Sequence, residues 1–415
     1  MDKRTEGFRK ENQTEKGRQG QKGKKVQKEI LTVCAVFLIG LFISNGGVCS
    51  ESYSIRNRSA GKPRPSHWIP GPAFRLPYRA QWVSRVKKGG LFKYKRREFA
   101  SPLVLGDVAL IGTGGGTFYA MKKGNGGTLW RFKAEGAISS KPAARDGKVF
   151  FGDDEGNFYA LNLENGQKLW SINLDAEILT APAIRGDRLF VATVEGRVLS
   201  LSAGEGTILW EKQHGTRPLQ MTIRGNSTPV LDSEGNLYVG FSDGIFWSLA
   251  SKTGNLLWEK RLEIAERFHD LDGTPLIEGD RIYLSGFDGP LVAMTRQGRV
   301  LWSSPTGSAG PILSVDQLLY LSDSQGSLVA VQKKDGATVW KTKIGDGALT
   351  APVFYKDFLA VGLSSSTMNF VDAASGRLMF RRFAKKGISS DPFLEGDQLF
   401  YLSNGGRLYS LKMLK

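Results

Sequence analysis

Short apolar runs separated by glycine-containing turns recur from about residue 101 onwards. Within residues 143–172, four such runs are joined by the turns Asp146-Gly147, Glu155-Gly156 and Glu164-Asn165-Gly166. Glycine adopts the positive φ of tight turns at little cost, so this pattern predicts antiparallel hairpins. Four consecutive strands of this kind form one blade of a β-propeller.

The four-strand unit occurs eight times, and each unit begins near a proline. The prolines are Pro102, Pro142, Pro182, Pro229, Pro275, Pro311, Pro352 and Pro392. The first seven units close on an aromatic residue: Trp130, Trp170, Trp210, Trp258, Trp302, Trp340 and Phe380. Successive tryptophans are 40, 40, 48, 44 and 38 residues apart, and a period near 40 with several short strands is typical of propellers. We therefore predict an all-β fold, an eight-bladed β-propeller of four-stranded antiparallel blades.

The eighth unit has sequence for three strands only, the last of them around Tyr409. A single extended segment around Trp82, residues 79–84, lies before the first unit and belongs to none of the eight. Pairing this segment with the last strand would close the ring and remove two open sheet edges. The predicted propeller domain is therefore residues 78–415, closed by an N-terminal strand that pairs with the last blade.

Positive charge is concentrated before the propeller. The chain has a net charge of +17, but residues 101–415 hold 34 Lys and Arg against 33 Asp and Glu. A nucleic-acid-binding protein carries its basic residues on the folded surface. We therefore expect no nucleic-acid partner. The basic residues before the propeller suit either a soluble tether or contact with an anionic membrane surface.

The first 77 residues divide into two segments. Residues 30–44 are apolar and follow Lys24, Lys25 and Lys28, so residues 1–50 are predicted to be a signal peptide, with an uncleaved membrane anchor as the alternative. Residues 51–77 are basic and proline-rich, which predicts a semi-rigid linker. The expected location is the periplasm.

Catalytic and metal-binding motifs were not found. Cys34 and Cys49 both precede the propeller, the three histidines are far apart, and neither Gly-x-Ser-x-Gly nor a P-loop occurs. We expect no enzyme activity, cofactor or metal site. The acidic run 153–155 is interpreted as a solvated hairpin tip, with a cation site as the alternative, and the repeated tryptophans as packing between blades.

Two connections between units are longer than the others. The distance from the closing aromatic residue to the next proline is 9 or 12 residues in five of seven cases, but 19 after Trp210 and 17 after Trp258. Both long connections flank one blade, so they should emerge side by side on one rim. Insertions in repeat scaffolds often form the binding face. A loop folded over its own blade is the alternative.

These two connections contain motifs that resemble the BamB family. Residues 221–229, Met-Thr-Ile-Arg-Gly-Asn-Ser-Thr-Pro, resemble the family's Leu-x-Leu-Arg-Gly-x-Ser-x-Pro stretch. Residues 267–275, Arg-Phe-His-Asp-Leu-Asp-Gly-Thr-Pro, resemble its Arg-Leu-x-Asp-Val-Asp-x-Thr-Pro stretch. A more general likeness to PQQ-like repeats covers residues 79–415. Met and Ile for Leu are conservative in volume.

The resemblance implies a scaffold subunit of the machinery that inserts β-barrel proteins into the outer membrane. Its partner would be a POTRA domain of a BamA-type protein, and unfolded β-barrel clients are further candidate partners. The residues that this resemblance assigns to partner binding are Met221, Ile223, Arg224, Asp270 and Asp272. The family's lipid anchor is left open, because Val48 and Gly46 before Cys49 depart from the lipobox.

Two other functions fit the repeat. Periplasmic quinoprotein dehydrogenases have similar repeats, but they use an adjacent cysteine pair and a calcium ion bound by carboxylates, and this chain has no such cysteine pair. A rim-binding scaffold unrelated to barrel assembly is the other alternative.

Overall fold

A computed structural model describes residues 78–86, 97–215, 226–262, 271, 273–286, 289–308, 310–323 and 325–414. All of these residues belong to the unit Ala73–Lys415. The predicted signal or anchor segment, 1–50, and the linker, 51–77, lie outside the described residues. No helix in the described part of the chain is long and apolar enough to cross a bilayer.

The described residues form short strands that group into eight blades. The strands of blades 1 to 4 are β2 (Leu103–Leu105), β3 (Val108–Ile111), β4 (Thr117–Lys122), β5 (Thr128–Lys133), β6 (Ala143–Arg145), β7 (Lys148–Gly152), β8 (Asn157–Asn162), β9 (Lys168–Asn173), β10 (Ala183–Arg185), β11 (Arg188–Ala192), β12 (Arg197–Ser202), β13 (Ile208–Gln213), β14 (Val230–Leu231), β15 (Asn236–Gly240), β16 (Ile245–Ala250) and β17 (Leu256–Arg261). The strands of blades 5 to 8 are β18 (Leu276–Glu278), β19 (Arg281–Leu284), β20 (Leu291–Thr295), β21 (Val300–Ser304), β22 (Leu313–Val315), β23 (Leu318–Ser322), β24 (Ser327–Gln332), β25 (Thr338–Lys343), β26 (Val353–Tyr355), β27 (Phe358–Gly362), β28 (Thr367–Asp372), β29 (Leu378–Phe383), β30 (Phe393–Glu395), β31 (Gln398–Ser403) and β32 (Arg407–Met413), with β1 (Tyr78–Arg85).

Seven blades are consecutive four-stranded antiparallel meanders, and the eighth has the strand order β1-β32-β31-β30. In that blade β1 pairs with β32 from Tyr78 opposite Met413 to Arg85 opposite Arg407. The predicted eight-bladed propeller, with its closure by an N-terminal strand, is confirmed. Since β1 occupies the outer position of blade 8, the ring closes by hydrogen bonds between the two ends of the domain.

The apolar core lies between neighbouring blades. One cluster, for example, joins Phe150 and Phe158 of blade 2 to Leu189 and Leu199 of blade 3. The middle strands are buried on both faces because each blade is covered by a neighbour on either side. This accounts for their continuous apolar runs.

A tryptophan on the outer strand joins seven of the eight blades to the next blade. Trp170 pairs with Ala160, and the next pair is Lys168 with Leu161, so Leu169 is the extra residue of a β-bulge. The indole N–H of Trp170 donates to the carbonyl of Ala203 in blade 3 at 3.3 Å. The corresponding bonds run from Trp82 to Lys123, Trp130 to Leu163, Trp210 to Ser251, Trp258 to Arg296, Trp302 to Lys333 and Trp340 to Ala373. The interpretation of these tryptophans as packing between blades is confirmed.

Each of these indole rings packs against a glycine of the next blade. A Cβ at Gly206 of blade 3, where φ is +76°, would lie 2.5 Å from the ring of Trp170. This glycine lies in the hairpin between the third and fourth strands of the receiving blade. In blade 8 the fourth strand is β1, so a hairpin of this kind does not join it to β32. Phe380 stands in place of tryptophan in blade 7, which faces blade 8, and it packs into the cluster around Tyr401.

Candidate protein-interaction site on the rim

All five residues assigned to partner binding, Met221, Ile223, Arg224, Asp270 and Asp272, lie outside the described residues. The structure describes the points at which their two connections leave and re-enter the propeller. Both connections, 214–229 and 262–275, join an outer strand to the inner strand of the next blade. They emerge on the same face as the turns between second and third strands, because turns alternate between the two faces of a meander.

Both ends of the first connection bind one segment, which we call the blade-4 turn. It comprises residues 240–244, from the last residue of β15 to the residue before β16. At the start, His214 Nε2 lies 3.0 Å from Asp243 Oδ2. At the end, the N–H of Ser227 donates to the carbonyl of Gly240 at 2.9 Å. The N–H of Gly240 in turn donates to the hydroxyl of Ser227 at 2.7 Å.

The second connection is attached to the same turn. At its start, the N–H of Leu262 donates to the carbonyl of Gly244 at 3.0 Å. At its end, the N–H of Leu271 donates to the carbonyl of Phe241 at 3.2 Å. The start and the end of each long connection are therefore all attached to the five residues of the blade-4 turn.

His214 is a departure from the repeat. Its N–H donates to the carbonyl of Gly196, and the equivalent bond in other blades is made by aliphatic residues: Ala134, Leu174, Leu262, Ile344 and Ala384. The imidazole stacks on Phe241 with ring centroids 4.1 Å apart and meets the edge of Trp247 at 4.9 Å. These three rings contact one another, and Phe241 and Trp247 belong to the apolar cluster between blades 3 and 4.

Asp243 is the charged centre of the blade-4 turn. Burial opposes its ionisation, but the hydrogen bond and charge of His214, the N–H of Ile245 and the charge of Arg261 together hold the pKa of this carboxyl below its usual range. Arg261 also donates to the carbonyl of Asp243 at 3.0 Å. One carboxylate thus links the residues that precede both connections.

Several residues of the BamB-like motifs have a structural role. The Asn226 side chain donates to the carbonyl of Thr193 at 2.6 Å, and Ser227 binds Gly240 as described. A Cβ at Gly273 would lie 2.4 Å from the carbonyl oxygen of Ser285, so glycine is required there. These residues close the ends of the connections onto the propeller.

The interpretation of the acidic run 153–155 as a solvated hairpin tip is wrong for Asp153. This side chain is fully buried and accepts hydrogen bonds from the backbone N–H groups of Gly136 at 2.9 Å and Asn157 at 2.8 Å, and from the Tyr159 hydroxyl at 2.9 Å. It therefore organises its turn from within. Across the described residues, His, Cys, Asp and Glu do not form a group of three or more that could hold a metal ion.

A third long connection was not recognised from the sequence. Because β1 is the outer strand of blade 8, the chain from Trp82 to Pro102 is equivalent to the other connections, and it spans 20 residues. This length exceeds both connections at blade 4. The sequence shows this long spacing between Trp82 and Pro102 only if Trp82 is counted among the tryptophans that close a unit.

Comparison with curated proteins gives partial matches to outer membrane protein assembly factor BamB. The chain is 27% identical over 197 residues to that of Shewanella oneidensis, covering 45% of this chain and 50% of the relative. It is 31% identical over 204 residues to that of Alkalilimnicola ehrlichii, covering 47% and 53%. The chain thus spans about half the length of the curated relatives it matches.

Solved structures share the fold. BamB from Moraxella catarrhalis gives a TM-score of 0.72 at 20% identity, covering 81% of this chain and all of that one. Quinohemoprotein alcohol dehydrogenase from Comamonas testosteroni gives 0.65 at 12% identity, covering 81% and 76%. These likenesses support the architecture alone. The family profile described as outer membrane protein assembly factor BamB matches residues 114–342 and 324–414, well over half of the sequence, and the chain therefore belongs to this family.

Proposed function

We propose that this chain is a non-catalytic scaffold subunit of outer-membrane protein assembly. It binds a POTRA domain of a BamA-type protein through residues 216–225 and 263–272 and assists insertion of β-barrel proteins at the periplasmic side of the outer membrane. Family membership supports the general role. The two curated relatives described above, both outer membrane protein assembly factors, agree with it.

The observation that carries the proposal is the convergence of both long connections on the blade-4 turn. Each connection is held at both ends by direct hydrogen bonds to residues 240–244. Two insertions fixed to one turn present their residues from one place on the rim. A partner can then contact both at once, which gives a larger and more specific interface than either connection alone.

The residues on these connections have complementary chemistry for a protein partner. Arg224 offers five N–H donors in a planar fork, which suits a carboxylate or a pair of backbone carbonyls. Asp270 and Asp272 are two residues apart, so an extended segment would direct both to one side as acceptors. Met221 and Ile223 provide the apolar part of the surface. Arginine between apolar residues is typical of interface hot spots.

Within this proposal His214, Asp243 and Arg261 are positioning residues. They fix the start of each connection without being part of the partner-binding set. Replacement of His214 by leucine, the residue that occupies this position at 174 and 262, should preserve packing against Phe241. The same change removes the bond to Asp243, so the first connection should lose its fixed orientation.

The test measures affinity of the purified full chain for the POTRA domains of the BamA-type protein by isothermal titration. Arg224→Glu should weaken binding by about 2 kcal/mol or more without lowering the unfolding temperature. The matched control is Arg145→Glu, a charge reversal at an exposed arginine that ends β6 beside a turn of the opposite face. Equal affinity of both variants and the unchanged chain would reject the proposal. A lowered unfolding temperature for Arg224→Glu alone would indicate that Arg224 pairs internally with the two aspartates.

A further inference from the structure

A second surface lies across the ring from the blade-4 turn. Blade 8 is opposite blade 4 in an eight-bladed ring, and its rim on the same face meets that of blade 7. The exposed residues there are Arg85, Arg381, Phe383, Lys385 and Arg407. We call this set the blade 7–8 surface.

Phe383 breaks a repeated contact. At the end of the outer strand, other blades place a polar side chain that donates to a carbonyl of its own blade's turn: Lys133, Asn173, Gln213, Arg261 and Lys343. Phenylalanine cannot make this bond. Its side chain is 73% exposed, the highest value among the exposed large hydrophobic residues in the part of the chain that the structure describes. A single exposed apolar residue is ordinary, but this one replaces a polar contact and lies among cations.

The cations around Phe383 come from two blades. Arg381 is on the same strand, and Lys385 follows it by two residues beyond the strand end. The N–H of Gly405 in blade 8 donates to the carbonyl of Lys385 at 3.0 Å, which brings Lys385 beside the turn that leads into Arg407. Positive charge therefore extends across the junction between the two blades.

Two arginines oppose each other at the closure of the ring. Arg85 on β1 is the direct cross-strand partner of Arg407 on β32. Both residues are exposed, so two cations lie side by side at this junction. Immediately beyond β1, residues 87–96 contain five Lys and Arg and no Asp or Glu. The net charge of this segment of the sequence has the same sign as that of the blade 7–8 surface.

We propose that the blade 7–8 surface docks on the anionic headgroups of a lipid bilayer, with Phe383 entering the interfacial region. An aromatic side chain among cations is the composition of interfacial membrane contacts, in which charge attracts the surface and the ring is buried. With this surface on the membrane, the blade-4 turn on the other side of the ring stays accessible. This inference does not depend on the proposed POTRA contact.

The test determines which face of the full chain touches a membrane. Cys34 and Cys49 are replaced by serine, and a polarity-sensitive dye is attached to one new cysteine. Ser365→Cys labels an exposed turn of blade 7 on the proposed face, and Ala374→Cys labels an exposed turn of the same blade on the opposite face. The probes are vesicles of phosphatidylcholine with or without phosphatidylglycerol. We expect a blue shift at position 365 with phosphatidylglycerol only, and no shift at position 374.

Substitutions then test the chemistry. Each cation near an anionic surface changes affinity about fivefold, so Lys385→Gln with Arg407→Gln should weaken vesicle binding, followed as the shift at position 365, about thirtyfold. Lys252→Gln with Lys334→Gln, which removes equal charge from exposed turns of the opposite face, should have little effect. Phe383→Ser should reduce the blue shift at position 365.

Three results would overturn the proposal. The first is an equal dye shift at positions 365 and 374. The second is equal binding to vesicles with and without phosphatidylglycerol. The third is an equal loss of binding in the double variant at positions 385 and 407 and in the double variant at positions 252 and 334. Binding of soluble polyglutamate that depends on Lys385 and Arg407, with no vesicle-dependent shift at position 365, would assign the surface to an acidic protein instead.

Discussion

Removal of β1 should open the ring, whereas removal of the residues before it should not. Deletion of residues 1–86 takes away the outer strand of blade 8, which pairs with β32 along its length. Deletion of residues 1–74 leaves this strand intact. The two truncations differ by only twelve residues, so most other effects of shortening the chain are shared.

The size of the effect follows from three side chains. Tyr78 and Val86 are 7% and 3% exposed, and the indole of Trp82 packs on Gly126 and donates to the carbonyl of Lys123 at 2.7 Å. Burial of one large apolar side chain contributes about 1.5–3 kcal/mol, so loss of three removes roughly 5–9 kcal/mol. This is comparable to the whole stability of an ordinary domain, about 5–15 kcal/mol. Deletion also exposes β32 as an open edge.

Urea unfolding of the full chain and both truncations measures the difference, and hydrogen exchange locates it. The 1–86 deletion should strongly lower the urea concentration at the unfolding midpoint. In hydrogen exchange, the amides of β31, Gln398–Ser403, should lose their protection sooner than those of β8, Asn157–Asn162. The 1–74 deletion should match the full chain in both measurements. Equal midpoints for the two truncations would show that β1 does not hold the ring closed.

Three further predictions concern single side chains. Trp170→Ala should cost roughly 3 kcal/mol in urea unfolding, at the lower end for tryptophan because its ring is partly exposed; no change would mean that the indole does not join blades 2 and 3. His214→Leu should keep the unfolding temperature but weaken POTRA binding about tenfold, as for a side chain that orients a neighbouring contact residue; a fall in stability with unchanged affinity would contradict its positioning role. The lowered pKa of Asp243 means that its stabilising contribution is complete above the carboxyl's unfolded pKa and is lost as pH falls through the folded pKa. Asp243→Asn should therefore flatten this part of the acid-unfolding curve, and an identical acid dependence of both proteins would refute the assignment.

The sequence was sufficient to predict the repeat, the number of blades and the closing strand. These follow from features that are local in the chain, such as glycine turns, the proline at each unit's start and the tryptophan at its end. Trp82 identified the closing strand because the same residue type marks the other outer strands. The substitution at Phe380 could be explained only from the structure, since it depends on which strand occupies the outer position of blade 8.

Other features depended on contacts between units. Asp153 is one of three consecutive acidic residues, which suggests exposure, yet its donors include Gly136 from the preceding connection. The sequence did not single out His214, because its aromatic neighbours and Asp243 are distant from it in the chain. The lengths of the two connections and their positions on either side of one blade predicted their common location. The hydrogen bonds that attach both to the blade-4 turn could be seen only in the structure.

Photocrosslinking in the native cell envelope tests the proposed partner contact most directly. A photoreactive amino acid replaces Ile223 in the first connection. The control is placed at Asn165, which lies in an exposed turn on the opposite face. We predict that position 223 crosslinks to a BamA-type protein and that position 165 does not. No crosslink to that protein from position 223, or equal crosslinking from both positions, would contradict the assignment of this rim as its binding site.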